Sequence, residues 1–487
     1  MLFNSIDFAV FLPIVFIFYW WVTAKNLKLQ NGLIVVSSLI FYGWWDWRFL
    51  SLLLFSSFVD YGIGLALKNE NRAQKRKFLL CVSLFLNLGL LSFFKYFNFF
   101  IANFKSAFTF FGHSLDLPSL NIILPVGISF YTFQTLSYGI DVYRRKLEPT
   151  RDIVAFLAFV SFFPQLVAGP IERATHLLPQ FYNKRVFNYD KAVDGLRLIL
   201  WGFFKKIVIA DNAALYVNDI FTNYTQYSGG TLILGAVLFA FQIYGDFSGY
   251  SDIAIGLARL FGFDLMRNFK YPYFSKNIAE FWKKWHISLT TWFRDYLYLP
   301  LGGNRGSLFF KIRNVFIVFL VSGFWHGAKW TFLFWGFINA LLFLPLLIIN
   351  HHKKLETINS KKLLPSRYEL FQIVTTFILV TFTWIFFRAE NLTQAFLYIK
   401  SIFTHPNFFQ IRSQLTYSSS IIPLLFYLTF LILIEWFNRD NEHVVADFLM
   451  KKKWYCTIIR YSFYFIILLI IILNVKNEAS NFIYFQF

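Results

Sequence analysis

The sequence predicts an all-α polytopic integral membrane protein, on three observations. Of 487 residues, 57% are hydrophobic and 15% charged, against roughly 25% charged in an average soluble chain. The apolar residues, which raise the mean hydropathy to +0.52, fall in blocks long enough to cross the ~30 Å hydrocarbon core of a bilayer. The Lys and Arg residues behind the formal charge of +20 gather in short connectors beside those blocks. Such clustering is the signature of membrane topology, with anionic lipid head groups as the partners, and it argues against nucleic-acid binding.

Spanning helices are expected near 7–24, 31–45, 49–67, 78–94, 122–143, 192–210, 231–257, 314–328, 330–350, 369–387, 419–437 and 457–474. The first apolar block follows Asp7 rather than a basic region, so it reads as a retained helix and not a cleaved signal. Basic connectors between Lys68 and Lys77, at Arg144-Arg145-Lys146 and from His351 to Arg367 belong in the cytoplasm. The stretch from Asp211 to Gly230 has acidic residues and no Lys or Arg, which places it outside as a loop. Two weaker apolar segments, near 96–111 with Lys105 and near 152–168 with Pro164, read as interfacial or re-entrant. About twelve crossings then leave both termini outside. With no linker-like stretch, residues 1–487 read as a single polytopic domain. Cys81 and Cys456 suggest neither a disulfide nor a thiol metal site, and burial is the expected role of both.

His326 is the first candidate for chemistry. It lies in Ser322-Gly323-Phe324-Trp325-His326-Gly327-Ala328, within a stretch from Asn314 to Asn350 whose other ionisable side chain is Lys329. An imidazole at membrane depth marks a functional site by default, although a histidine satisfied by a backbone carbonyl is the plain alternative. The glycines on either side allow the backbone to bend and a ligand to approach.

Polar residues also concentrate from Gln242 to Asp252, with Tyr244, Asp246, Ser248, Tyr250 and Ser251 between. A carboxylate at the centre of a spanning helix costs roughly 2.5–3.5 kcal/mol on insertion scales. Asp246 and Asp252 either serve a site or pair with nearby Arg259 or Arg267. Gly245 and Gly249, four apart, either serve that site or form a helix-packing face. Asn277 followed by Glu280 predicts a helix start, and 277–296 reads as one interfacial amphipathic helix. Trp282, Trp285, Leu289, Trp292, Phe293 and Tyr296 line its apolar face, with Lys283, Lys284, Thr291, Arg294 and Asp295 opposite. His286 falls among the aromatics, where a structural role is the commoner one. His113, His176, His351, His352, His405 and His443 lie in connectors and are expected to be solvated. No metal spacing, phosphate loop or nucleophile elbow occurs.

Taken together, these segments resemble the membrane-bound O-acyltransferase family, in particular its bacterial branch that acetylates alginate or peptidoglycan. The resemblance runs through Phe163-Pro164-Gln165-Leu166-Val167-Ala168-Gly169-Pro170-Ile171, through Tyr244 to Asp252, and through Phe281-Trp282-Lys283-Lys284-Trp285-His286-Ile287-Ser288-Leu289. It continues through Arg294 to Arg305, Gly323 to Ala328, and Thr383-Trp384-Ile385-Phe386-Phe387-Arg388-Ala389. It implies that His326 is the principal catalytic histidine and His286 a second functional one. It also implies a donor that is acetyl-CoA or another acetyl thioester, no bound cofactor or metal, and a serine-hydrolase-like extracytoplasmic O-acetyltransferase as partner. The chain would act in the bacterial cytoplasmic (inner) membrane. Asp246, Asp252, Gln165, Tyr244, Trp325 and Arg294 are the candidate substrate-binding residues. Two alternatives stay open: a proton-coupled transporter using Asp246, Asp252 and His326, and a D-alanyl transfer protein of the same family.

Overall fold

The computed structural model describes residues 1–113, 115–167, 169–349, 364–407, 421–441, 454–476 and 482. Its regular structure is helical: α1 (Ile6–Ile17), α2 (Leu27–Gly43), α3 (Leu50–Asn69), α4 (Ala73–Leu91), α5 (Phe97–Phe110), α6 (Ile128–Tyr143), α7 (Ile153–Ser161), α8 (Phe163–Leu166), α9 (Ala174–Leu177) and α10 (Tyr189–Phe203). These are followed by α11 (Asp211–Thr222), α12 (Gly229–Leu260), α13 (Ile278–Lys284), α14 (Ile287–Phe293), α15 (Leu308–His326), α16 (Trp330–Ile348), α17 (Arg367–Arg388), α18 (Leu392–Thr404), α19 (Ile421–Phe437) and α20 (Trp454–Asn474). Among the described residues, seven helical stretches are long and apolar enough to span a membrane: Trp47–Asn69, Ala73–Phe110, Gly229–Leu260, Leu308–His326, Trp330–Ile348, Arg367–Arg388 and Trp454–Asn474. Shorter apolar helices occupy Ile6–Val22, Leu27–Gly43, Ile153–Leu166 and Ile421–Phe437. The chain is a multi-pass membrane protein. It divides into two compact units, one of residues 1–196 with 254–266, the other of 197–253 with 267–487.

Several expected boundaries change. The segment at 96–111 is the end of a continuous helical stretch, Ala73–Phe110, because a π-helical turn at Ser92–Tyr96 carries α4 into α5 without a break. The predicted outer loop after Asp211 is helix α11, joined to α10 by another π-helical segment, Phe204–Ala210. Its missing Lys and Arg marked a polar helix face and not a loop. Cys81 is exposed on α4, contrary to its expected burial, whereas Cys456 is buried as expected. The segment 152–168 forms α7 and α8, with Phe162, Phe163, Pro164 and Gln165 buried.

In the first unit, polar side chains join α3, α4 and α6. Asp60, fully buried, accepts from the Ser83 hydroxyl at 2.6 Å and the Asn87 amide at 2.8 Å, and Asn87 in turn accepts from Ser56 and Thr135. Where no water competes, such interhelical hydrogen bonds are a main source of specificity. Arg76 donates to the carbonyls of Leu67 and Glu70 at the end of α3 and of Val142 and Tyr143 at the end of α6. It thereby brings two of the basic connectors to one end of this unit, as a shared compartment for them requires. His176 is exposed, as expected, and bonds the buried Glu172 carboxylate at 2.7 Å, which raises its pKa above the ordinary histidine value. His113 and His405 are exposed as expected; His351, His352 and His443 lie outside the described residues.

Candidate active site

The candidate site lies wholly in the second unit, where four elements converge. The first is the stretch expected to be one amphipathic helix. It is broken: α13 ends at Lys284, α14 begins at Ile287, and His286 between them takes φ +44°, ψ 55°. A left-handed conformation at a non-glycine residue stores strain of about 1–3 kcal/mol and clusters at functional sites. The break is held by an extended run, with the Lys270 amide donating to the Lys284 carbonyl and the Ile287 amide to the Asn268 carbonyl. Trp285, His286 and Leu289 are consequently buried rather than spread on a membrane surface. The helix start at Asn277 is as expected, its side chain capping the Glu280 amide at 2.9 Å.

Asn268, which sequence reasoning missed, orients His286. The Asn268 amide donates to the Ser251 hydroxyl at 3.1 Å, leaving its Oδ1 to accept from the Ser288 hydroxyl and from His286 Nδ1, each at 3.0 Å. With Nδ1 as donor, Nε2 is the proton-accepting atom of the neutral ring. Burial lowers the His286 pKa to about 3. The ring is therefore neutral at physiological pH. Residue 268 lies in a non-helical connector with no motif to mark it.

The second element is the hairpin of α15 and α16. His326 ends α15, its ring packed edge-on against Trp325, Trp335 and Phe387 at 5.0, 5.3 and 5.1 Å between centroids. Gly323, expected to allow a bend, serves helix packing instead. A Cβ on Gly323 would meet the Phe332 carbonyl oxygen, and one on Gly336 the Phe319 carbonyl oxygen. They let the two helices touch backbone to backbone, as small residues do within membranes. Gly323→Ala is expected to destabilise the protein by about 1–3 kcal/mol and to displace His326. A lowered midpoint in a detergent thermal-unfolding assay checks it; an unchanged midpoint contradicts the packing role.

Between these elements is a cavity of about 60 Å³. His286, His326, Thr290 and Ser322 line it together with Trp282, Trp285, Leu289, Phe293, Val318 and Phe319, which supply its apolar walls. Trp325 bridges the two imidazoles, 6.1 Å from His286 and 5.0 Å from His326 between ring centroids. The buried indole nitrogens of Trp282, Trp335 and Trp384 have no acceptor among the described residues. Of the three residues, Trp282 lines the cavity.

The third and fourth elements, α12 and the π-helical segment Phe204–Ala210, form an ionic layer. The wide π turn presents two successive buried lysines. Lys205 pairs with Asp252 at 2.6 Å, and Lys206 with Asp246 at 2.7 Å and Asp211 at 2.8 Å. The expected arginine partners are engaged elsewhere: Arg259 pairs with Asp194, and the Arg267 guanidinium donates to the Phe269 carbonyl. A Cβ on Gly249 would lie 2.7 Å from the Gly202 carbonyl oxygen, so the packing reading of that glycine holds. Tyr244 donates to the buried Glu435 carboxylate at 2.8 Å. Lys205, Lys206 and Glu435 were missed because most of their partners lie far away in the sequence and leave no local mark.

The structure thus brings His286, His326 and Trp325 together. Asp246, Asp252 and Tyr244 belong to the ionic layer, and Arg294 is exposed and bonded to its neighbour Asp295. Gln165 belongs to the first unit, where it and Gln134 exchange amide hydrogen bonds at 2.9 and 3.2 Å. Among the described residues there is no cluster of His, Cys, Asp and Glu able to hold a metal ion.

Comparison with known proteins shows the family. The profile of the membrane-bound O-acyltransferase family matches residues 39–388. The chain is 37% identical over 504 residues to a probable alginate O-acetylase, AlgI, of Pseudomonas putida, covering 100% of both chains. It is 35% identical to a peptidoglycan O-acetyltransferase of Helicobacter pylori, over 82% of this chain and 80% of that one. A teichoic acid D-alanyltransferase of Bacillus subtilis is 28% identical over 56% of this chain and 71% of its own. The chain belongs to the membrane-bound O-acyltransferase family and is a multi-pass membrane acyltransferase.

Proposed function

We propose that the protein takes an acetyl group from a cytoplasmic thioester, acetyl-CoA or a similar donor, and passes it across the bacterial inner membrane for O-acetylation of an extracytoplasmic polysaccharide such as alginate or peptidoglycan. The observation that carries this reading is the shared apolar cavity of His286 and His326. Two imidazoles facing one small, largely dry space suit acyl transfer to a hydroxyl. His326 is the general base: it removes the acceptor hydroxyl proton as that oxygen attacks the thioester carbonyl, the carbon–sulfur bond breaks, and the proton passes to the departing thiolate. His286, fixed by Asn268, positions the acyl group.

Similarity to alginate and peptidoglycan O-acetylating proteins over most of the chain supports acetyl rather than D-alanyl as the cargo. Pairing of Asp246 and Asp252 with lysines weighs against a relay that must release protons from both. A partner that completes transfer onto the glycan, a serine-hydrolase-like extracytoplasmic O-acetyltransferase, belongs to the same reading.

The test is ester release by mild base from purified envelope glycans of cells carrying the native chain or His326→Ala at equal membrane levels. Loss of ester in the variant is the expected outcome and identifies the receiving polymer. Unchanged ester on every glycan would remove His326 from the chemistry.

A further inference from the structure

The left-handed turn at His286 is strained and persists only where its surroundings over-determine it. Backbone pairing of Lys270 with Lys284 and of Ile287 with Asn268 supplies part of that constraint. Tyr244, on α12, supplies another part through side chains. Its ring packs against Phe269, next to Asn268, at 6.0 Å and against Trp285, next to His286, at 6.1 Å between centroids. Phe269 in turn stacks on the His286 ring at 6.4 Å. Tyr244 is itself held in place. Its hydroxyl donates to both carboxylate oxygens of Glu435 on α19, at 2.8 and 2.9 Å, and the Lys205 ammonium lies 5.7 Å from its ring. Tyr244 and Glu435 are both buried, and neither is among the residues lining the cavity.

Resting on the acyl-transfer reading above, we propose that Glu435 and Tyr244 are positioning residues: Glu435 fixes the Tyr244 ring, and that ring holds the His286 turn in the geometry that transfer requires. Tyr244 then acts through His286 and not on the substrate. The hydroxyl–carboxylate bond is the decisive contact, because without it the ring is located by packing alone. A displacement of about 1 Å at a reacting group can cost about 10²-fold in rate even when the substitution lies away from the chemistry.

The experiment measures kcat and donor KM for acetyl transfer from labelled acetyl-CoA to envelope glycan, in membranes containing the full chain. Tyr244→Phe keeps the ring and loses the hydroxyl, Glu435→Leu loses the acceptor, and Glu435→Gln keeps an acceptor oxygen while losing the charge. Tyr244→Phe and Glu435→Leu are each expected to lower kcat about 10- to 100-fold with donor KM little changed. The double variant is expected to be no slower than the slower single one, as for two residues acting through one contact. Glu435→Gln is expected to keep most of the native kcat, a rescue that a general packing role does not predict. If Glu435→Leu does not accumulate, Tyr244→Phe and Glu435→Gln decide the matter. Native kcat in Tyr244→Phe, a Glu435→Gln protein as slow as Tyr244→Phe, or single losses that add in the double variant would each overturn the positioning role while acyl transfer itself stands. No ester from the native chain overturns both proposals.

Discussion

Lys206→Ala is expected to destabilise the protein by about 3–5 kcal/mol, the usual consequence of removing one partner from a buried ion pair. Lys206 lies against Asp246 and Asp211 together, and all three side chains are shielded from solvent. Without the ammonium, two carboxylates share one dry site and repel each other. The expected result is loss of the folded protein from membranes, or a much lower unfolding midpoint in detergent. The triple variant Lys206→Met, Asp211→Asn, Asp246→Asn removes every charge of the cluster at similar volume and is expected to recover much of the loss, since uncharged replacements of buried pairs are often near neutral. A Lys206→Ala protein with an unchanged midpoint would show that the layer does not hold α12 to the π-helical segment.

His326→Ala is expected to lower the maximal transfer rate by about 10²–10⁴-fold, the range for loss of a general base, with the donor KM changed little. A base acts on the proton in transit, so its removal falls on the transition state and not on ground-state binding. Asn268→Leu is expected to act differently. It frees the His286 ring and leaves the Ser288 hydroxyl without its acceptor, so a smaller loss of rate is expected, with a shifted pH profile. Measuring kcat and KM for both variants separates the roles. A His326→Ala protein altered only in KM would assign that ring to binding.

The spans were legible in the sequence because burial in lipid demands long apolar runs: α16 and α17 fall within two residues of the expected limits, while α15 starts earlier, at Leu308. The breaks were less legible. Nothing local separates an amphipathic helix at 277–296 from two short helices, because the left-handed turn at His286 is imposed by backbone pairing with Asn268 and Lys270. The π-helical turn at Ser92–Tyr96 was hidden for a related reason: one extra residue per turn leaves no compositional mark. At the site, His326, His286 and Trp325 were readable from an unusual residue in an apolar context. Asn268 and the two lysines were not, since their partners are distant in sequence and their own surroundings are ordinary.

Vectorial acetyl transfer is proposed to depend on His326. Inside-out inner-membrane vesicles from cells with the complete system, given labelled acetyl-CoA on the outer, originally cytoplasmic face, test it directly. Base-releasable label is expected on glycan enclosed in the lumen with the native chain, and none above background with His326→Ala. Label confined to the side of addition, or equal luminal label in the variant, would contradict it.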